Sequence, residues 1–262
     1  MIDTDSLMLA RVSYEIETLG FSVVNGVVSA AECAALRAAL LEALDDDARR
    51  YAGLPGKKVE LVNNLAIYGG PFLALMGNST MRTIFAHFLT PACILYNFSS
   101  TVLYPQAKSD VQNIHVDSPR VIPGYHDGLI MTLALDDFND ANGATYYLPG
   151  SQNSATPPDA ATFDRFALSV ARPAGAAVFF NPRCFHRGGH NQTERVRCGL
   201  TVFSVRPFMK QRFDFPRMID PETAAQLPAA TRAFLGYDAR TPSAMEEFYV
   251  DAERRLYKAG QE

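Results

Sequence analysis

The stretch Asn97-Phe98-Ser99-Ser100-Thr101-Val102-Leu103-Tyr104 points to the fold class of this 262-residue chain. Apolar Phe98, Val102 and Tyr104 alternate with polar residues, which predicts a β-strand with one apolar and one polar face. Further short strands are predicted at 129–135, 144–148, 176–180 and 198–205. Turn-forming pairs separate them, among them Asn142-Gly143, Pro149-Gly150 and Asn181-Pro182. Many short strands with frequent turns predict a barrel or sandwich over about 94–206, not alternating βαβ units.

Helices are predicted on both sides of this β core. Ser29-Ala30-Ala31-Glu32 has the pattern of a capping box, and apolar residues recur at helical spacing after it, so a helix is expected from about Ser29 to Arg50. Further helices are predicted from Asn78 to Leu89 and over 243–259 in the tail. Since no linker is visible, residues 1–262 are predicted to form a single domain with helical N-terminal and C-terminal parts.

Composition excludes several classes of protein. The 24 Lys and Arg against 28 Asp and Glu give a net charge of −4, which offers no general footprint for nucleic acid. The chain has no apolar run long enough to span a membrane and no basic leader, so a cytoplasmic protein is expected. The cysteines follow neither a zinc-finger nor a disulfide pattern, which predicts reduced, buried thiols at Cys33, Cys93, Cys184 and Cys198.

Two histidine motifs are spaced for a metal site. His115 and Asp117 lie two residues apart, so on a strand both side chains would face the same way and could reach one metal ion. His186 follows 71 residues after His115 and would complete the two-histidine, one-carboxylate triad of non-haem Fe(II) oxygenases. Taken alone, His115 and Asp117 also fit a polar loop in which they hydrogen-bond, and His190 competes with His186 as the distal ligand.

Arg197 is the third feature, 11 residues after His186. An arginine near such a metal can form a bidentate pair with the far carboxylate of a dicarboxylate cosubstrate. Seven basic residues lie within 183–212 and only Glu194 opposes them, so Arg197 also fits a solvated surface charge, or an interaction module that binds an acidic partner. The three features in this order favour an oxygenase more strongly than any one of them alone.

With these motifs the sequence resembles the phytanoyl-CoA dioxygenase-like family of Fe(II)/2-oxoglutarate-dependent oxygenases. The resemblance runs from about Leu19 to about Arg206 and includes Asn142-Gly143 and Tyr147-Leu148-Pro149-Gly150-Ser151. It implies a mainly β fold with flanking helices, namely a double-stranded β-helix, which is a cupin-like jelly roll. It also implies Fe(II) as the metal, 2-oxoglutarate as cosubstrate and O2 as oxidant.

The resemblance also assigns site residues. It implies that His115, Asp117 and His186 bind iron and that Arg197 holds the distal carboxylate of 2-oxoglutarate. It favours His186 over His190, because Asn191 and Arg197 then lie at the family spacing. Gln112 and Thr132 match positions that contact 2-oxoglutarate in this family. The sequence departs from the family pattern at two positions, since Gly188 replaces a usual Ser and Gln152 a common His.

The expected activity is oxidation of a small molecule with release of succinate and CO2. The chain retains Asp117, which halogenating relatives lack, so hydroxylation or another oxidation is expected. By analogy with similar compact members, the substrate is expected to be a natural-product intermediate, contacted by Asn97, Arg120 and His126. A solvent-facing lid over 118–127 is the alternative for the last two. A cupin-like isomerase or a non-catalytic jelly-roll binding protein also fits the histidines, but leaves Arg197 without a role.

Overall fold

Two antiparallel sheets form the β core of the computed structural model, which describes residues 4–58 and 61–257. The strands are β1 (Phe21–Val24), β2 (Ile94–Leu103), β3 (Gly128–Ala134), β4 (Tyr146–Tyr147), β5 (Leu168–Ser169), β6 (Ala177–Phe180), β7 (His186–Arg187) and β8 (Arg197–Val205). The larger sheet has the order β1-β6-β3-β8-β2 and the smaller one β5-β4-β7. This arrangement confirms the predicted jelly roll, and the two sheets do not close into a barrel.

The larger sheet buries both of its faces. One face carries Phe98, Met131 and Leu200, which belong to the main apolar cluster shared with the helices. The register sets Ser99 opposite Thr201 and Thr201 opposite Thr132, so a row of hydroxyl groups crosses the other face. The alternation predicted for 97–104 is therefore present, but its polar face is turned into the space between the sheets instead of toward solvent.

Helices flank the β core, and most of them pack on the apolar face of the larger sheet. They are α1 (Thr4–Leu19), α2 (Ala30–Arg50), α3 (Gly70–Leu75), α4 (Ser79–Phe88), α5 (Ala160–Phe166), α6 (Phe215–Met218), α7 (Pro221–Gln226), α8 (Ala229–Phe234) and α9 (Met245–Phe248). The predicted helices over 29–50 and 78–89 correspond to α2 and α4. Helix α1 was not predicted, although Met8, Val12 and Ile16 repeat every four residues and pack against the main cluster.

The long helix predicted over 243–259 is wrong in the described part of the chain. That region contains only the four residues of α9 and a 3-10 turn at Ala252–Arg254, while residues 258–262 lie outside the described chain. Met245, Phe248 and Tyr249 are exposed, so the segment lacks the apolar packing that stabilises most protein helices. No helix among the described residues is long and apolar enough to cross a membrane.

The capping box predicted for α2 is present and allows a stability prediction. The Glu32 N–H donates to Ser29 Oγ, and the Ser29 N–H donates to Glu32 Oε2 at 2.8 Å. Ser29→Ala is expected to lower the free energy of unfolding by about 1 kcal/mol, since one first-turn N–H loses its partner. Urea denaturation measures this, with Ser29→Asn as a control that retains a capping oxygen. An unchanged midpoint for Ser29→Ala would contradict the role of the box.

The four cysteines are buried and form no disulfide, as the sequence predicts. Burial raises the pKa of each thiol, with the Cys184 thiol reaching about 12 and the Cys198 thiol about 11. The thiols are therefore protonated at neutral pH and behave as small apolar groups in the core.

Candidate metal centre

His115, Asp117 and His186 meet between the two sheets. His186 begins β7, and His115 pairs with it as an antiparallel bridge in which each backbone N–H donates to the other carbonyl at 3.0 Å. The Asp117 N–H donates to the Pro182 carbonyl at 2.9 Å, so Asp117 also lies beside the segment that contains His186. One ligand atom from each of the three side chains lies within 4.8 Å of the others. One metal ion could therefore be coordinated by all three.

Backbone carbonyls orient both imidazoles. His115 Nδ1 lies 2.8 Å from the Asn113 carbonyl oxygen, and His186 Nδ1 lies 3.0 Å from the Cys184 carbonyl oxygen. A carbonyl only accepts, so each Nδ1 carries the proton and each Nε2 keeps a lone pair for a metal. His186 Nε2 is 3.5 Å from Asp117 Oδ2, so the free nitrogen already faces the carboxylate.

The three ligands differ in their exposure to solvent. His186 is 7% exposed and packs on Phe180 and Tyr147, with ring centroids 5.0 and 5.6 Å away. Burial lowers the pKa of His186, and the nearby Asp117 carboxylate opposes this effect. The Asp117 side chain is 35% exposed. The site thus has a dry, neutral imidazole at its base and an opening on the carboxylate side.

Arg197 lies in the interior without an acidic partner among the described residues. It starts β8 and is 2% exposed. Its Nη1 donates to the Gly143 carbonyl at 2.7 Å and its Nη2 to Thr101 Oγ1 at 3.3 Å, while Nε has no partner. Burial, and next the charge of Arg172, lower the pKa of Arg197 to about 9. A buried guanidinium in this state would be stabilised by an anion.

Two glycines permit close backbone contacts around the site. Gly143 has φ of +87°, and a Cβ there would lie 2.7 Å from Leu103 Cδ1, so a side chain would displace the carbonyl that meets Arg197. Gly188, the position where the family usually has Ser, donates its N–H to the Val111 carbonyl at 2.6 Å. A Cβ at Gly188 would lie 3.1 Å from Val111 Cγ2, so a serine at this position would crowd the valine.

The sequence did not single out Arg172, which lies beside Arg197. Arg172 is 4% exposed, and its Nη1 donates to the Val170 carbonyl at 3.1 Å. Its guanidinium carbon is 4.4 Å from the centre of the Phe138 ring, and that of Arg197 is 4.0 Å from the same centre. Burial lowers the pKa of Arg172 to about 10. The signal available in the sequence was an arginine between Ala171 and Pro173, just before the turn that leads into a predicted buried strand.

The two weaker cosubstrate candidates occupy different surroundings. Thr132 lies on the interior face of β3 beside Tyr147, whose pKa is raised mainly by burial. Gln112 uses both amide atoms on backbone groups, because Oε1 accepts from the Ser109 N–H at 3.1 Å and Nε2 donates to the Gly189 carbonyl at 3.3 Å. Gln112 therefore joins the loop before His115 to the segment after His186.

The three substrate candidates are not brought together. Asn97 is buried on the interior face next to a β-bulge, and its Oδ1 has no partner. Arg120 is exposed and lines a cleft beside α1 whose lining includes no residue of the triad. His126 lines the same cleft, its Nε2 lies 2.7 Å from Glu17 Oε1, and its ring packs against Phe88 of α4. The side chain of His126 is thus engaged with the helices.

The structure separates the competing candidates. His190 is exposed and does not join the cluster of ligands, whereas His186 does. Arg195 is exposed, whereas Arg197 is buried, so the two arginines that lie two residues apart on the chain differ in environment. Gln152, the other departure from the family pattern, is buried and donates from Nε2 to the Glu17 carbonyl at 3.0 Å, which ties α1 to the β core.

Comparison with known proteins gives one family match. The family model described as phytanoyl-CoA dioxygenase (PhyH) matches residues 16–199, which is more than half of the chain. That range includes the three candidate metal ligands His115, Asp117 and His186, together with Arg172 and Arg197.

Individual relatives agree with this match. An uncharacterised protein of Mycobacterium tuberculosis, Rv1501, is 27% identical over 264 residues, covering 97% of this chain and 96% of its own. The dioxygenase cdmA of Talaromyces verruculosus is 32% identical over 130 residues, covering 45% and 44%. Among solved structures, the non-haem alpha-ketoglutarate-dependent carbocyclase SnoK from nogalamycin biosynthesis superposes with a TM-score of 0.60 at 19% identity, covering 74% of this chain and 83% of SnoK.

Proposed function

Since the chain belongs to the phytanoyl-CoA dioxygenase family, we propose an iron site, a cosubstrate site and a substrate class for it. It is a dioxygenase of the Fe(II)- and 2-oxoglutarate-dependent kind, which acts on small molecules. We propose that His115, Asp117 and His186 hold the iron and that Arg197 holds the cosubstrate. The observation that carries this assignment is the convergence of three ligand atoms within 4.8 Å inside the jelly roll.

The donor set fits the metal. Two neutral imidazoles and one carboxylate are the facial ligands of non-haem Fe(II), and they leave positions open for cosubstrate and oxygen. Bound Fe(II) supplies the oxidative decarboxylation of 2-oxoglutarate to succinate and CO2, coupled to oxidation of a substrate C–H bond by O2. The protein fixes the two histidines through the Asn113 and Cys184 carbonyls, and keeps water from His186 with Phe180 and Tyr147.

Arg197 fits the far end of the cosubstrate. Its guanidinium is buried, has a free Nε and lacks a carboxylate among its described neighbours, so an incoming carboxylate would supply the missing charge. Thr132 lines the same interior face, which supports its proposed contact with 2-oxoglutarate. For Gln112 we propose a positioning role: its amide is hydrogen-bonded to two backbone groups and holds the loop that carries His115.

For the substrate, we propose a small polar metabolite, such as a natural-product intermediate, that is hydroxylated or otherwise oxidised in the cytoplasm. Asn97 supports a polar substrate, because its buried side-chain oxygen has no hydrogen-bond partner and a substrate could provide the donor. Arg120 follows Asp117 by three residues and is exposed in the cleft beside α1, and its contact with the substrate stays a prediction. The structural similarity to SnoK, a carbocyclase from nogalamycin biosynthesis, supports this class of substrate.

The contribution of Arg120 is testable in isolation. Arg120→Ala is expected to weaken substrate binding or misdirect the oxidation, while decarboxylation of 2-oxoglutarate without substrate continues, because the change lies outside the ligand cluster. Product position and KM for the substrate measure it, with Lys108→Ala as a control for loss of an exposed positive charge. Normal rate and position in the Arg120 variant would show that this residue is only a surface charge.

One experiment tests the proposed reaction and finds the substrate together. The Fe(II)-loaded protein is incubated with 2-oxoglutarate and a metabolite library, and succinate and product masses are measured. A gain of one oxygen or a loss of two hydrogens in one compound, matched by succinate, supports the proposal. A product isomeric with its substrate, formed without 2-oxoglutarate, would instead favour a cupin-like isomerase.

A further inference from the structure

Arg172 has buried hydrogen-bonding capacity that the fold does not use. Its Nη1 meets the Val170 carbonyl, but Nε and Nη2 are buried and have no partner. These two nitrogens form one edge of the guanidinium, and this edge is the one that binds a carboxylate through two parallel N–H···O bonds. A complete free edge inside a protein is costly unless a ligand fills it.

No acidic side chain near Phe138 is available to fill that edge. Asp136 accepts from Arg37 Nε at 2.8 Å and from the Cys198 N–H at 2.7 Å. Asp137 accepts from the Ala174 N–H at 2.8 Å. None of the ion pairs between described residues includes Arg172 or Arg197 (the pairs involve Arg11, Arg37, Arg49, Arg50, Lys57, Lys58, His126, His186, Arg187 and Arg217). Two buried cations thus lie against one phenylalanine ring, and no described acidic residue forms an ion pair with either of them.

The two arginines contact the same aromatic ring. Their guanidinium carbons lie 4.4 and 4.0 Å from the centre of Phe138, so the separation of the two cations is no more than the sum of these two distances. The backbone fixes this arrangement, since Phe138 and Arg172 exchange N–H···O bonds of 2.8 and 2.9 Å. Arg197 meanwhile uses Nη1 and Nη2 on Gly143 and Thr101, which leaves Nε as its unpaired nitrogen.

We infer that Arg172 is a second cationic contact for the distal carboxylate of 2-oxoglutarate, and that it binds this carboxylate with its free Nε and Nη2 edge. The inference rests on the proposed function, in which Arg197 holds the same carboxylate. In this arrangement Arg197, held by two protein oxygens, provides a fixed charge at one position. Arg172 provides the two directed hydrogen bonds that set the orientation of the cosubstrate.

The test compares the binding of 2-oxoglutarate with the stability of the ligand-free protein. Arg172→Met removes the charge but keeps much of the side-chain volume, and Arg172→Lys keeps the charge but removes the two-pronged edge. Calorimetry on the Zn(II)-loaded protein measures 2-oxoglutarate affinity without turnover. Arg172→Met is expected to weaken binding about tenfold or more, since a hydrogen-bonded ion pair is lost, and Arg172→Lys is expected to weaken it less.

Thermal unfolding separates a binding role from a structural one. If Arg172 serves to bind 2-oxoglutarate, the ligand-free Arg172→Met protein should melt at the same or a higher temperature than wild type, because an uncompensated buried charge has been removed. The rise in Tm on adding 2-oxoglutarate should shrink in the same variant. A structural arginine would give the reverse pattern, with a lower Tm and an undiminished rise on adding 2-oxoglutarate.

A matched control is available at Arg82. Its guanidinium carbon also lies over a phenylalanine, 4.1 Å from the centre of Phe234, and its Nη1 is buried without a partner, but it packs among the helices. Arg82→Met should leave 2-oxoglutarate affinity unchanged. Wild-type affinity in the folded Arg172→Met protein would overturn the role of Arg172 alone. Failure of wild type to bind 2-oxoglutarate would overturn the proposed function, and this inference with it.

Discussion

Asp117→Ala is expected to abolish 2-oxoglutarate turnover while the protein stays folded. The carboxylate supplies one of three protein ligands and the only negative charge among them, so its loss should lower activity by more than about 100-fold. The fold should survive, because the Asp117 side chain is 35% exposed and its one ion pair with a described residue is with His186, 3.5 Å away. Succinate formation measures turnover, the amount of bound iron measures metal loading, and far-UV circular dichroism measures folding.

A matched aspartate separates this effect from a general loss of charge. Asp45 lies on α2, its side chain is 73% exposed, and it forms an ion pair with Arg49 on the next turn. Asp45→Ala is expected to retain full turnover and full iron binding. Stoichiometric iron and undiminished succinate formation in Asp117→Ala would show that the metal is held by other residues.

Arg197→Ala is expected to raise the 2-oxoglutarate requirement sharply. The variant leaves the distal carboxylate in a buried pocket without its main charge partner, which costs about 3–5 kcal/mol. That penalty corresponds to a KM increase of about 100-fold or more. Turnover at saturating 2-oxoglutarate should recover in part, since Arg197 does not contact the metal ligands. Initial rates across a range of 2-oxoglutarate concentrations give both quantities.

Arg195 is the natural control for this variant. It lies two residues before Arg197 and carries the same charge, but it is exposed while Arg197 is 2% exposed. Arg195→Ala should leave the KM for 2-oxoglutarate unchanged. An unchanged KM in Arg197→Ala, with a raised KM in Arg195→Ala, would reverse the assignment of the cosubstrate arginine.

The proximity of His115, Asp117 and His186 was predictable from the sequence because it depends on local spacing and a family pattern. His115 and Asp117 are two residues apart, and the helical and strand patterns around them were strong enough to place the β core at 94–206. The choice of His186 over His190 needed the family spacing. Among the described residues, His186 lies near His115 and Asp117 while His190 is exposed, and the binding of iron by these three residues stays a prediction.

Features that depend on contacts between distant parts of the chain were not predictable. Arg172 became a candidate only when the fold set it beside Phe138 and Arg197, and no local pattern reports that distance. The tail over 243–259 contains helix-forming residues, but its described part, residues 243–257, buries little apolar surface. Propensity alone did not hold it in a helix.

The loop after Asp117 shows a third kind of limit. His126 was expected near the substrate because it follows the metal motif closely in sequence. The chain instead turns toward α1, where His126 meets Glu17, and Arg120 lines the cleft beside the same helix. Sequence proximity to a ligand therefore gave no information on which side of the sheet these side chains occupy.

A crystal structure of the protein with Fe(II) and 2-oxoglutarate, from crystals grown without oxygen, tests the proposed iron site and cosubstrate contact together. We expect iron to be bound by Nε2 of both His115 and His186 and by a carboxylate oxygen of Asp117. We also expect the distal carboxylate of 2-oxoglutarate to lie against Arg197. Iron on His126 or His190 in place of His186, or a cosubstrate carboxylate held away from Arg197, would contradict these assignments.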